Sequence, residues 1–181
     1  MSIIHPINKN WYVVNTRSRA EKKVYTELTD LGITCFLPIQ KRLRQWKDRK
    51  KWVNLPLIAG YCFVYINNND YNRVLQSDNV VSFISFDGKA AVVPSAQIEQ
   101  LQQMLKQSVF AVTVLNENFE PGRKVEIVEG PLIGLQGELI DCRGKNRFIL
   151  RVEHINSVFS VDLPSKSVTL LPENHLTCSA C

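Results

Sequence analysis

The sequence predicts an α+β protein, in which an antiparallel sheet flanked by helices is followed by a small five-stranded β-barrel. Over residues 9–107, β-type and helix-type runs follow the order β-α-β-β-α-β-β-α, which is typical of an antiparallel sheet with helices packed against it. From Phe119 onward, glycines and prolines separate five short alternating runs, and such strands bury their apolar faces best by closing into a barrel. We therefore expect a first domain at 9–107, a linker at 108–120, a barrel at 121–172 and a disordered tail at 173–181.

The first domain is predicted to begin with a strand and a helix. Residues 11–15, WYVVN, form a short β-type run. Ser18 and Glu21 have the S-x-x-E spacing of a helix capping box. Gly32 stands where that helix would end. The apolar residues in between recur on one helical face: Ala20, Val24, Leu28 and Leu31.

The middle of this domain is predicted to be a long, positively charged β-hairpin. Residues 33–39 lead into a basic stretch and residues 55–66 return from it. The segment 41–66 holds seven Lys and Arg against one acidic residue, so the chain's formal charge of +5 is a local +6 with −1 elsewhere. Such a local charge, interleaved with Trp46 and Trp52, favours nucleic-acid binding. A solvated charged hairpin is the alternative.

The end of this segment, 61–66, is a strand that is apolar on both faces. In the order YCFVYI, three aromatic residues lie on one face and a thiol and two aliphatic residues on the other. A strand of this kind is either covered on both sides within its domain or shows one face to a partner.

The remaining elements follow from turn and cap signals. Residues 67–70, NNND, predict a short helix at 71–76, and Asp87-Gly88 predicts a tight hairpin. Pro94 predicts a helix start. Barrel strands are expected at 123–128, 138–142, 147–152, 157–163 and 168–171. The β-branched run 109–115 either extends the first domain or docks against it.

Composition limits the function classes. No apolar run approaches the roughly 20 residues of a membrane helix, and the N-terminus has no charged start before an apolar region, so we expect a cytoplasmic protein without membrane contact. Cys35, Cys62 and Cys142 have the apolar contexts of buried free thiols. Cys178 and Cys181 form a lone CxxC, which we interpret as part of the disordered tail; a metal or redox site is the alternative. We expect no metal and no cofactor.

Nothing in the sequence predicts an enzyme. The three histidines, His5, His154 and His175, lie far apart in the sequence, and no cysteine has a nearby base. From residue 117 onward, 7 basic residues stand against 9 acidic ones, which argues against a second strong nucleic-acid surface.

The two segments together resemble the NusG family of transcription elongation factors. Residues 11–14, WYVV, are similar to that family's opening strand, and residues 57–64, LIAGYCFV, to its FPGYVFV signature, although its aromatic-Pro pair is Ile58-Ala59 here. Residues 121–139, PGRKVEIVEGPLIGLQGEL, resemble the KOW motif. The resemblance therefore implies an NGN-like first domain and a KOW-like, SH3-like barrel. Residues 91–95, AVVPS, resemble the specialised RfaH branch, and the chain length resembles the UpxY regulators of capsular polysaccharide operons.

The resemblance implies a site that binds the β′ clamp helices of RNA polymerase through an apolar patch. At the matching positions stand Trp11, Leu57, Ile58, Tyr61 and Phe63. A second polymerase contact, on the β subunit, would come from the short helix after the signature strand, at Tyr71, Asn72 and Arg73.

The resemblance also implies nucleic-acid and further protein contacts. Non-template DNA would meet Arg17 and Arg19, for which solvated charge at a helix start is the alternative, and upstream DNA or RNA would meet the hairpin at Lys47, Arg49, Lys50 and Lys51. The barrel would bind the ribosome or Rho. The function implied is suppression of pausing and termination; a ribosome- or RNA-associated KOW protein is the alternative.

Overall fold

The computed structural model describes residues 8–46, 48–107, 110–115, 122–142, 145–152, 155, 158–163 and 167–171. The strands are β1 Asn10–Thr16, β2 Thr34–Phe36, β3 Ile39–Gln45, β4 Lys50–Pro56, β5 Tyr61–Ile66, β6 Val80–Phe83, β7 Ser85–Phe86, β8 Lys89–Ala90, β9 Val92–Val93, β10 Thr113–Leu115, β11 Arg123–Ile127, β12 Gln136–Cys142, β13 Lys145–Arg151, β14 Val158–Asp162 and β15 Val168–Leu170. The α-helices are α1 Glu21–Asp30, α2 Tyr71–Leu75 and α3 Ser95–Lys106, with a short 3-10 helix at Asn68–Asp70 before α2.

The first part of the chain is built on an antiparallel sheet in the order β2-β5-β1-β6, with β9 also paired to β1. Val13 of β1 lies opposite Phe63 of β5, and Phe36 of β2 lies opposite Phe63 from the other side. The predicted α+β class, with a helix-flanked antiparallel sheet and a later β-rich part, is confirmed.

Both faces of this sheet are covered, because alternate residues of β1 and β5 enter two different apolar clusters. Val14 and Cys62 pack in a cluster with Val24 and Leu28 of α1 and with Val74 of α2. Val13 and Phe63 pack in the other cluster, to which α3 contributes Ile98, Leu101 and Met104. The centre of the sheet, at Val13 and Phe63, is therefore buried on both sides, whereas Trp11 and Tyr61 on the α3 side are only half-buried.

The predicted capping box at the start of α1 is wrong. The helix begins at Glu21, and the capping residue Ala20 has no side chain that could bond the first N–H groups. The carboxylate of Glu21 instead accepts a hydrogen bond from the backbone N–H of Gly60, so it is used for a tertiary contact. The predicted end is confirmed: Gly32 has φ +76°, and the N–H of Ile33 bonds the carbonyl of Leu28 at 2.9 Å.

The charged hairpin exists, but its strands are interrupted at both ends. β3 and β4 form a separate two-stranded sheet, while β2 and β5 belong to the main sheet. The outgoing strand breaks at Leu37-Pro38, because proline has no N–H for the ladder. The returning strand breaks at the turn that ends in Gly60, whose φ is +82°. A hydrogen bond of 2.8 Å from the N–H of Leu57 to the carbonyl of Pro38 closes the base of the hairpin.

Among its described residues, the later β-rich part has one strand more than predicted. All five expected strands are present, and β10 adds a sixth by pairing with β14, in the order β10-β14-β13-β12-β11-β15. The unplaced run 109–115 thus contributes residues 113–115 to this sheet. At Gly137, a Cβ would lie 2.5 Å from the carbonyl oxygen of Ile149, so only glycine permits the close approach of β12 and β13 there.

The two parts of the chain pack against each other. One apolar cluster contains Phe63 and the buried residues of α3 together with Val125, Ile127 and Phe148 of the later sheet. The side-chain amide of Gln103 on α3 donates a hydrogen bond of 3.4 Å to the carbonyl of Ile133. Among the described residues, no helix is long and apolar enough to cross a membrane.

Candidate functional site

The apolar candidates from the first domain lie on one surface. Trp11, Leu57, Ile58, Tyr61 and Phe63 all belong to, or pack against, the same apolar cluster, and we call their side of the sheet the aromatic face. Their exposure differs. Phe63 is 0% exposed and Ile58 is 4% exposed, whereas Trp11, Leu57 and Tyr61 are half-buried.

Neighbouring rings extend the aromatic face beyond the residues expected from sequence. The ring of Tyr65 lies 5.1 Å from that of Trp11, and the ring of Phe36 lies 5.8 Å from that of Phe63, measured between centroids. Both additional rings are half-buried. The place of Tyr65 on this face can be predicted from the sequence, because Tyr65 alternates with Tyr61 and Phe63 along the strand. The place of Phe36 depends on the register between β2 and β5, which the sequence does not reveal.

The three candidates on the short helix lie on the opposite side of the sheet. The ring of Tyr71 stacks on that of Phe83 with a centroid distance of 4.0 Å, next to the cluster under α1. The guanidinium of Arg73 pairs with Asp70 at 2.7 Å and donates to the carbonyl of Leu31 at 2.7 Å. Asn72 is exposed. A contact through these residues would thus be separate from one through the aromatic face.

The register of the hairpin sorts its cations onto two faces. Directly opposed residues of an antiparallel pair point to the same side, and so do alternate residues of one strand. Arg42 and Arg44 therefore share a side with Lys51, which lies opposite Arg44. We call this side the first hairpin face. Lys41 and Trp52 lie on the other side, the second hairpin face. What looks like one basic patch in the sequence is therefore two surfaces.

A backbone hydrogen bond closes the hairpin just beyond β3 and β4. The backbone N–H of Trp46 donates to the carbonyl of Arg49 at 2.8 Å. Arg49, Lys50 and Lys51 are exposed there, as expected for contact with a polyanion. Lys47, the fourth candidate at this tip, lies outside the described residues.

A cavity of about 680 Å³ separates the first hairpin face from the start of α1. Four cations line it, Arg19, Lys22, Arg42 and Arg44, together with one carboxylate, that of Glu21. The ammonium of Lys22 also donates to the carbonyl of Asn54 at 2.6 Å, which ties α1 to β4. The first hairpin face and the helix start thus form a single positively charged cleft, although they are more than 20 residues apart in sequence.

The two arginines before α1 differ in position. Arg19 lines the cleft and has φ +61°, a left-handed conformation that strains a residue with a Cβ. Arg17 is exposed, and its backbone N–H bonds the carbonyl of Asn79 at 2.9 Å; it does not line the cleft. The structure therefore brings Arg19, but not Arg17, together with the hairpin cations.

Two of the cysteines lie near each other beneath the sheet. Cys62 is buried, as expected, and Cys35 is half-buried on the adjacent strand. A hydrogen bond from Cys62 lowers the pKa of Cys35, against the opposing effect of burial. The same hydrogen bond, together with burial, raises the pKa of Cys62. The side chains of Cys142, Cys178 and Cys181 and all three histidines lie outside what the structure describes.

Comparison with known proteins identifies the family. Residues 9–102 match the family model described as "Transcription termination factor nusG". The chain belongs to the NusG family. It is 25% identical over 148 residues to the transcription termination/antitermination protein NusG of Halalkalibacterium halodurans, covering 74% of this chain and 82% of that protein. It is 22% identical over 167 residues to NusG of Lactococcus lactis, covering 86% of this chain and 90% of the relative.

A solved structure supports the fold. NusG of Thermotoga maritima superposes with a TM-score of 0.52 at 23% identity, covering 91% of this chain and 98% of that one. The matched family segment spans β1 to the middle of α3, and so includes the aromatic face, the hairpin and the cleft.

Proposed function

We propose that this protein is a transcription elongation and antitermination factor of the specialised RfaH/UpxY-like branch, acting at specific operons such as those for capsular polysaccharides. It binds the β′ clamp helices of RNA polymerase and suppresses pausing and termination. The observation that carries the proposal is the aromatic face, where half-buried rings surround a fully buried Phe63. Half-buried aromatic residues on a rigid sheet are typical anchors for a partner helix.

The half-buried residues make the clamp contact in this proposal, and the buried ones hold them in place. Trp11, Leu57 and Tyr61 offer accessible ring or aliphatic surface. Phe63 and Ile58 fix that surface from beneath, since their side chains are inaccessible. This division changes which substitutions test the interface, because truncating Phe63 would also damage the core.

Nucleic acid is the second partner in this proposal. Upstream or non-template DNA meets the cleft at Arg19 and the cations of the hairpin tip, through contacts with phosphate that specify little sequence. A factor that binds both the clamp and the DNA stabilises the closed, elongating polymerase, because it has higher affinity for that state than for the paused one. The barrel engages the ribosome or Rho, and α2 supplies a contact with the β subunit.

The test is binding of the full chain to core RNA polymerase and to an isolated clamp-helix fragment. We expect Tyr61→Ala combined with Leu57→Ser to weaken binding to both by tenfold or more, as removal of interface anchors does. Tyr25→Ala is the matched control, because Tyr25 is an exposed aromatic residue on α1, across the sheet. Its binding should equal that of the parent.

Two results would contradict the proposal. If the double variant binds polymerase as well as the parent does, the aromatic face is not the interface. If the parent binds neither polymerase nor the fragment but binds ribosomes, the chain is instead a ribosome-associated KOW protein.

A further inference from the structure

The second hairpin face forms one wall of a cavity that has no role in the proposed clamp or cleft contacts. The cavity has a volume of about 510 Å³, which is within the range of ligand sites. The hairpin contributes Ile39, Gln40, Lys41 and Trp52 to it, and the opposite wall comes from the end of α3 and the residues after it: Leu105, Lys106, Gln107, Phe110, Ala111 and Val112.

Trp52 is the residue in this wall that best indicates the class of ligand. Its side chain is 58% exposed, although a tryptophan gains much from burial. The ammonium of Lys41 lies 5.6 Å from the centre of its ring, which is within the distance of a cation–π contact. An exposed indole next to a cation is the arrangement that proteins use to stack a base beside its phosphate.

The charge around the cavity suits a polyanion. Lys41 and Lys106 stand on opposite walls, and no Asp or Glu is among the described residues that line it. The rest of its lining is mostly apolar, as at Ile39, Leu105 and Val112, with the neutral amides of Gln40 and Gln107. A nucleotide would use both features, because its base stacks on the indole and its phosphates pair with the lysines.

The far wall is fixed in place before any ligand binds. The side-chain amide of Gln107 donates to the carbonyls of Met104 and Phe110, at 3.0 and 2.8 Å, and its oxygen accepts from the N–H of Phe110 at 2.7 Å. These three bonds join the last turn of α3 to Phe110. The backbone of Lys106 is thus held on the wall opposite Trp52 before any ligand binds.

We propose that this cavity is a subsite for one base of single-stranded nucleic acid, which stacks on Trp52 while Lys41 and Lys106 contact the phosphates on either side. The assignment rests on the proposed contact of the hairpin with nucleic acid, and it adds base stacking on the second face to phosphate contact on the first. Base stacking on an aromatic ring tolerates any sequence.

The first experiment uses the fluorescence of Trp52 alone, in the full chain with Trp11→Phe and Trp46→Phe. An oligothymidylate of about eight nucleotides, which is in the usual range of single-strand site sizes, should quench this fluorescence. An abasic strand of equal length and polyglutamate of equal charge should not. Quenching by all three ligands would show an anion site without stacking and would overturn the proposal.

The second experiment measures affinity for labelled single strands of DNA and RNA by anisotropy. Trp52→Ala and Lys106→Glu should each weaken binding by about tenfold and leave binding of a duplex of equal length unchanged. The matched controls are Phe86→Ala and Lys89→Glu, exposed residues on β7 and β8. Equal affinity for DNA and RNA would show that the site contacts only the base and the phosphates. A preference for one of them would identify the type of strand that fills the site. Both results support the proposed subsite.

The outcomes separate this inference from the proposed function. If the parent binds single strands and the Trp52 and Lys106 variants bind equally well, only the subsite is wrong. If the parent binds no nucleic acid at low salt, the proposed hairpin contact fails as well, and the subsite with it.

Discussion

The carboxylate of Glu21 accepts a hydrogen bond of 2.7 Å from the backbone N–H of Gly60, 39 residues further along the chain. Glu21 is the first residue of α1 and is only 6% exposed. Gly60 ends the turn before β5, and its φ of +82° is one that residues with a Cβ seldom adopt. This bond joins the helix start that flanks the charged cleft to the strand that carries the aromatic face.

We expect Glu21→Ala to lower the free energy of unfolding by about 1–3 kcal/mol, because the N–H of Gly60 would lose its partner in a partly buried turn. Urea denaturation followed by circular dichroism measures this loss. Glu99→Ala is the control, since Glu99 is exposed on α3, and it should change stability by less than about 0.5 kcal/mol. Equal stability of the two variants would mean that the bond contributes little.

Phe63→Ala should be far more destabilising than Tyr61→Ala, although the two residues are neighbours on one face. Phe63 is fully buried, so its truncation leaves a cavity and should lower the free energy of unfolding by about 3–5 kcal/mol. Tyr61 is half-buried and should lose less than half as much. Thermal and urea unfolding of both variants provides the comparison. Similar losses would show that Tyr61 is as important to the core as Phe63.

Reversing the charges of the cleft should weaken binding to duplex DNA and reduce its dependence on salt. Arg42→Glu with Arg44→Glu removes two cations from the first hairpin face. If both contact phosphate, the slope of log affinity against log salt should become shallower by about 0.9 for each. Titrations over a salt series measure the slope, with Lys89→Glu as a control of the same charge type. An unchanged slope would identify these arginines as solvated surface charge.

The same assay tests the hairpin tip. We expect Arg49→Glu, Lys50→Glu and Lys51→Glu together to reduce nucleic-acid affinity while leaving clamp-helix binding intact, because these exposed residues lie at the tip of the separate two-stranded sheet of β3 and β4 and not on the aromatic face. Loss of both activities would point to misfolding of the hairpin and not to a lost contact. Unaltered affinity at low salt would favour a solvated hairpin.

Cys35 should react with iodoacetamide before Cys62 in the folded protein. A hydrogen bond from Cys62 lowers the pKa of Cys35, so its thiolate is populated at a lower pH than that of an ordinary thiol. The same contact and burial raise the pKa of Cys62. Peptide mass spectrometry across a pH series gives both rates. Cys62→Val should move the alkylation midpoint of Cys35 to higher pH; an unmoved midpoint would exclude Cys62 as the cause.

Gly137→Ala should destabilise the later sheet by about 1–3 kcal/mol, the usual effect of overpacking. Its Cβ would lie 2.5 Å from both the carbonyl oxygen of Ile149 and the ring of Phe148. The backbone oxygen is held in a ladder and is unable to move aside. Glu129→Ala, at an exposed position in the same part, is the control for a thermal melt. Equal melting temperatures would show that β13 adjusts to the added methyl group.

Much of the fold follows from local patterns. Alternation along 61–66 predicts a strand with two apolar faces, Gly32 ends α1 through its positive φ, and Asp87-Gly88 forms the expected tight hairpin with φ values of +51° and +74°. The capping box failed because the carboxylate of Glu21 bonds Gly60, a partner that sequence spacing does not reveal.

The sequence by itself determined the α+β class, the order of the elements, the family and the local concentration of positive charge, because these depend on residue type and short-range periodicity. Only the tertiary structure decided which side chains are accessible. Phe63 is buried while Tyr61 is half-buried, and the basic segment is divided between the cleft at Arg42 and the cavity at Trp52. Strand register and the packing of distant helices set these outcomes, since a register shift of one residue would move every side chain of the shifted strand to the opposite face of the sheet.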